Sequence, residues 1–146
     1  MKKTEWRHAP LTEIPTAHGE SFWESYTDEP GFGTRWHSIR HHLDVTSFGI
    51  NSNEADSGQL LINEHDERED GDQEEVYFVF RGRAEFTVDG QDLMVEEGDL
   101  LAVGGHVVRS ARALSSPTIV LMLGGTPHGR FRPADWDRPL PETDPP

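Results

Sequence analysis

Between Glu75 and Ala113 the chain alternates apolar and polar residues in short runs, cut at Arg81-Gly82, Asp89-Gly90 and Glu97-Gly98. A repeat of two is the period of a strand with one buried face, because successive side chains point to opposite sides. The pattern predicts strands near 75–81, 83–89, 91–96, 99–103, 106–113 and 118–124. Upstream, Leu43, Val45 and Ser47 fall on one face of a strand over 43–50, and Thr46, Phe48 and Ile50 on the other. The run 58–65 (GQLLINEH) is a further strand. Asp89-Gly90 predicts a tight hairpin, since both residues tolerate the positive φ of a primed turn. Seven or eight short strands at this spacing indicate an all-β barrel or sandwich.

Residues 1–42 break the pattern. They carry Trp6, Phe22, Trp23, Tyr26, Phe32 and Trp36 among prolines, glycines and charges, without a clean period. So many large aromatics predict an N-terminal arm that wraps the domain or a partner subunit, with one helical turn near Trp36 to His42. The barrel then occupies residues 43–130. In the C-terminal segment 131–146, Phe131 to Trp136 is a docking stretch, and PLPETDPP after Arg138 reads as a disordered acidic tail.

Composition narrows the partners. A chain of 146 residues is one domain by length, and its 14 Gly and 10 Pro suit many turns rather than a helical bundle. With 27 Asp and Glu against 13 Lys and Arg, the formal net charge of -14 repels phosphate backbones and anionic lipid heads. Nucleic acid and membrane are therefore not expected partners. Cysteine is absent, which excludes disulfides, thiolate catalysis and cysteine-held metals. The N-terminal MKKTEWRHAPLTEIP has no apolar run, so neither signal peptide nor membrane span is expected and the cytoplasm is the expected compartment. No phosphate loop, nucleophile elbow or HExxH is present, and Ser110, Ser115 and Ser116 have no evident base.

The chemistry concentrates around one strand entry. Glu75, Tyr77 and Val79 share a face, and the apolar run after Glu75 points that carboxylate inward. His65 and Glu67 are two apart, so both can face inward if their strand runs that far. The intervening DEREDGDQE reads as an exposed charge run, and on that ground Glu67 is expected to be solvated. His106 beside Gly104-Gly105 lies either on a surface turn or at the barrel mouth. His37, Arg40, His41 and His42 lack supporting carboxylates and are read as surface.

The segment from about Leu43 to Gly124 resembles the cupin family. Its first motif, G-x5-H-x-H-x3–4-E-x6-G, ends here as Glu75-x6-Gly82, with His65 present and Glu67 where the second histidine would stand. The loop from Arg68 to Glu74 is longer than that pattern. The second motif, G-x5-P-x-G-x2-H-x3-N, keeps its spacing but not its letters: Gly98, Gly104, His106, Arg109 and Ala113 occupy its positions. The resemblance implies a single antiparallel β-barrel of the double-stranded β-helix or jelly-roll type, and a homodimer. In the family the motif histidines and glutamate hold one metal inside the barrel.

Arg109 falls on the motif histidine. A guanidinium stays protonated and does not ligate, whereas it pairs well with a buried carboxylate. Two arrangements follow. In one, His65, Glu67 and Glu75 hold a divalent iron, manganese or zinc ion, as in a metal-dependent oxygenase or isomerase. In the other, which is preferred, Arg109 neutralises Glu75 and no cofactor is needed. The preferred expectation is a small-molecule-binding protein, its ligand anionic if Arg109 clamps it. Tyr77, Val79, Arg109 and His106 are then ligand-binding candidates, and Glu75 and Arg109 catalytic ones. A non-catalytic sensor or assembly subunit is the third reading.

Overall fold

The computed structural model describes residues 5–18, 33–134, 137 and 139. Phe22, Trp23, Tyr26, Phe32, Trp136 and the acidic tail expected after Arg138 lie outside the described residues, Pro139 apart. Ten strands appear among the described residues: β1 (Thr16–His18), β2 (Arg35–His37), β3 (Gly49–Ala55), β4 (Leu60–His65), β5 (Glu74–Arg81), β6 (Arg83–Val88), β7 (Gln91–Glu96), β8 (Leu100–Val103), β9 (Arg109–Ala113) and β10 (Thr118–Gly125). They form two antiparallel sheets. The large sheet runs β1-β2-β3-β10-β5-β8 and the small one β4-β9-β6-β7.

Alternation sorts the side chains between the sheets. Val79, Val120, Tyr77 and Met122 of the large sheet meet Leu61, Ile62, Phe86, Ala84 and Ala111 of the small one in a single core. Tyr77 and Phe86 stack at a tilt across the gap, 5.3 Å between ring centroids. The predicted hairpin forms as expected: Asp89 (φ 51°) and Gly90 (φ 76°) join β6 to β7, with Val88 opposite Gln91. Arm residues enter the same structure. β2 pairs with β3, and Trp36 is buried in the core, whereas Trp6 stands 80% exposed.

Two expectations need correction. The strand foreseen over 43–50 lies at Gly49–Ala55 instead. Leu43 and Val45 are taken up by the end of a helical turn (Ile39–His42), their amides returning to Ile39 and Arg40 carbonyls. The true strand escaped notice because its inner positions are polar; Asn53, for one, spends its amide on the Leu61 carbonyl at 2.9 Å. The histidine run is not all surface either. His37 and Arg40 are buried, and the Arg40 Nε donates to Asp137 at 2.7 Å, fastening the C-terminal segment to the helical turn.

The outer face of the large sheet is apolar where β10, β5 and β8 adjoin. Leu123, Val76 and Ala102 form one cross-strand row and Leu121, Phe78 and Leu100 the next, with Leu100 70% exposed. No helix that could span a membrane occurs among the described residues.

Candidate functional site

One end of the barrel gathers the titratable groups. Glu75 sits opposite Val103 on β8 and Gly124 on β10, facing inward from the large sheet. From the small sheet, His65 at the end of β4 lies directly across from Arg109 at the start of β9. A register shift between Ile62 and His65 makes this possible. Without that irregularity a residue three along from the inward Ile62 would face out; the bulge restores His65 to the inside.

Glu67 is buried, 1% exposed, which overturns its expected solvation. The acidic run does not stand off as a solvated loop. The Glu67 amide donates to the Gly105 carbonyl at 2.7 Å, and the amides of Asp70 and Asp72 return to the Glu67 carbonyl. Gly71 and Asp72 take positive φ to close that turn. The loop packs so closely on the β8–β9 connection that a Cβ at Gly105 would lie 2.5–2.6 Å from Asp72 atoms.

The cluster's contacts are short but unequal. His65 Nε2 is 3.0 Å from Glu67 Oε1 and 3.8 Å from Glu75 Oε1, while Nδ1 faces the Asn63 carbonyl at 2.7 Å. Both ring nitrogens thus meet acceptors, an arrangement that the doubly protonated imidazolium satisfies. The Tyr77 hydroxyl donates to Glu75 Oε1 at 3.1 Å. Arg109, fully buried, places NH1 3.6 Å from Glu75 and 3.8 Å from Glu67. Its NH2 donates to the Gly104 carbonyl at 2.8 Å. Its Nε and NH1, and Glu67 Oε2, have no hydrogen-bond partner within the protein.

Proton affinities follow from this layout. Burial opposes charge on His65, but the hydrogen bonds it donates to the Glu67 and Glu75 carboxylates outweigh it and carry the imidazole up to about 10. Burial pushes Glu67 up to about 7, against the pull of His65. Glu75 is also penalised by burial, yet hydrogen bonds to His65 and Glu67, and the Arg109 charge, hold it below the usual carboxylate range. Burial, then the Glu75 charge, lifts Tyr77 well above an ordinary phenol, so it remains a donor.

The residues can be tested against a metal. The ligand atoms of His65, Glu67 and Glu75 lie within 4.8 Å of one another, and one imidazole with two carboxylates is a sound donor set for a divalent ion. The charge balance is not. Two carboxylates are already matched by Arg109 and the imidazolium. A divalent ion replacing the imidazole proton would leave an excess positive charge in a buried site, close to a fixed guanidinium. The donor atoms are placed to hold a divalent ion, while the charges of the cluster already balance among His65, Glu67, Glu75 and Arg109.

An open cavity of about 490 Å³ lies where β5 begins and β8 and β10 end, largely over the outer-face row of Val76, Ala102 and Leu123. Glu75, 7% exposed, reaches its wall; Glu74, Phe48, Val76, Ala102 and Leu123 supply most of the rest. Arg109 lies behind Glu75 and does not line it. Val79 belongs to the core and His106 to the exposed β8–β9 turn, its carbonyl accepting from Arg68 at 3.3 Å. The structure therefore joins His65, Glu67, Glu75, Tyr77 and Arg109, and leaves Val79 and His106 apart. Glu74 and Phe48 were missed as cavity residues. The one signal in the sequence was the unbroken apolar run after Glu75, which makes both faces of β5 apolar.

No sequence-family profile matches the chain, and no curated protein is significantly similar to it. Solved structures do resemble it. A cupin protein from Bacteroides fragilis is 14% identical, with 97% of this chain and 100% of that one covered at a TM-score of 0.60. The cupin domain of Schizosaccharomyces pombe Cnp3 is 11% identical over 82% of this chain and 73% of that one, with a TM-score of 0.61. KdgF from Halomonas sp. is 21% identical over 66% and 82% of the two chains, with a TM-score of 0.54. At these identities the likeness speaks for architecture alone: the chain has the fold of these cupin structures.

Proposed function

We propose that this protein is a small-molecule-binding domain of cupin fold whose barrel site works without a metal. The observation that carries the reading is Arg109, fully buried and within 4 Å of both Glu67 and Glu75, on the strand position opposite His65. A permanent cation there balances the acids in the way a bound ion otherwise would. The cavity beside Glu75 offers the binding volume, in the range of ordinary ligand sites. Arg109 supports this reading as a counter-charge and not as a clamp on an anionic ligand, since it does not line the cavity. Elemental analysis of protein purified without chelator is the test. Less than about a tenth of an equivalent of any divalent metal is expected. A near-stoichiometric metal that disappears in Glu75→Gln would overturn the reading.

A second reading rests on the compact His65, Glu67 and Glu75 donor set, which suits a metal-dependent enzyme. The same measurement decides between the two.

A further inference from the structure

Trp6 and Leu100 are the most exposed large apolar side chains among the described residues, 80% and 70%. Leu100 shares a face of β8 with Ala102, beside the outer-face row that floors the open cavity. That cavity is a groove of definite shape. Val76, Ala102 and Leu123 make its floor and Phe48 an apolar wall, while Gly104 and Gly125 leave the end toward Glu74 without side chains. A Cβ placed at Gly125 would meet nothing within 4 Å. Glu74 stands exposed at that end, so the groove is an apolar slot with an acidic rim.

Trp6 has the complementary character. Lys2, Lys3 and Arg7 surround it with only Glu5 against them, in a chain that carries 27 acids to 13 bases. The arm is fixed on both sides of its bend: the Arg7 guanidinium lies 3.6 Å from Asp44, and β1 pairs with β2. Held in this way, Trp6 stands in solvent and does not line the groove of its own chain. Asp44 is four residues from Phe48, a reach of about 14 Å at full extension. Arm and groove therefore share one region of the surface, and a two-fold axis there sets each arm against the groove of the other copy.

From these features we infer that two copies of this chain pair by exchanging Trp6. The indole of each copy lies on Val76, Ala102 and Leu123 of the other, with the basic stretch beside it facing Glu74. The contact takes the most exposed aromatic side chain out of water and seats it in an apolar slot with a charged rim, the usual centre of a protein interface. The net charge of -14 sets two copies against each other, and this stretch is one where the local charge reverses. An indole is much smaller than a drug-sized ligand, so a groove of about 490 Å³ keeps room beside Glu75. The inference thus goes beyond the small-molecule reading without displacing it.

Sedimentation equilibrium of the full chain and of two variants at exposed positions is the test. The parent should be dimeric at about 50 µM, and Trp6→Ser should raise the dissociation constant at least about tenfold. Ala102→Glu, an exposed change on the groove floor that leaves the buried cluster untouched, should do the same. An equimolar mixture of the two variants should associate more strongly than either alone, because the groove of the first and the Trp6 of the second make one intact contact. A monomeric parent, or variants as strongly paired as the parent, would overturn the exchange. So would a mixture no better associated than its components, which is the result of an indole folded back into its own groove. None of these outcomes moves the metal content on which the small-molecule reading is tested.

Discussion

Two buried arginines among the described residues, Arg40 and Arg109, face carboxylates, and they do so differently. Arg40 meets Asp137 at 2.7 Å through Nε, and sends its other nitrogens to the Val45 and Asp137 carbonyls at 3.3 Å each. Every branch of that guanidinium has an acceptor. Arg109 comes no nearer than 3.6 Å to a carboxylate, and its Nε and NH1 are without hydrogen bonds. The first is a clip that fixes the C-terminal segment. The second is a counter-charge in a group of acids that leaves hydrogen-bonding capacity unspent. Structural ion pairs tend to be saturated, because a buried unsatisfied donor is costly.

The largest effect should come from removing the counter-charge. Arg109→Met leaves Glu67 and Glu75 facing each other in the interior, and about 3–5 kcal/mol of stability should be lost. That corresponds to a melting temperature lower by roughly 10 °C, read by calorimetry. If Arg109 were as dispensable as a surface charge, the loss would be near zero. Asp137→Asn breaks the clip instead. About 2 kcal/mol should go, with faster proteolysis of the C-terminal segment and no change at the barrel mouth.

Next in size is a pH dependence that belongs to the site alone. The folded state raises His65 from 6.5 to about 10, so its protonation contributes stability fully present below pH 6.5 and lost as pH climbs through 10. Glu67, raised from 4.5 to about 7, acts in the same sense over a lower window. Melting temperatures should therefore decline on the order of 5 °C from pH 6.5 to 10, and His65→Gln should flatten the slope. An equal slope in that variant would assign the effect elsewhere. The smallest change is Tyr77→Phe, which deletes one hydrogen bond to Glu75 and should cost about 1 kcal/mol in denaturant melts.

How much of this could be read beforehand depends on whether a residue's fate was set locally. The hairpins from β5 to β8 were legible because glycine turns and period-two alternation are local signals. Strand β3 was not legible in its true place because Asn51 and Ser52 are buried, and Asn53 half-buried, by pairing across the sheet, which composition does not show. Inward placement of Glu75 and Arg109 followed from apolar context and motif spacing. Glu67 did not, since a charge run predicts solvent and only tertiary contact with Gly105 pulls it inside. Phe48 and Glu74 were not legible as cavity residues because they come from the rim and the outer face, where alternation gives no sign of a pocket.

Gly105 carries a further consequence. The acidic loop is longer than the family pattern and must lie flat on the β8–β9 connection to bring Glu67 inside; the space it needs is made by shaving the facing wall to a single hydrogen. Even a methyl at position 105 would lever Asp72 outward and draw Glu67 with it. A residue that never touches the four charged side chains thus governs how many of them belong to the group, and a lone atom far down the sequence acts as the hinge pin of the whole charged assembly.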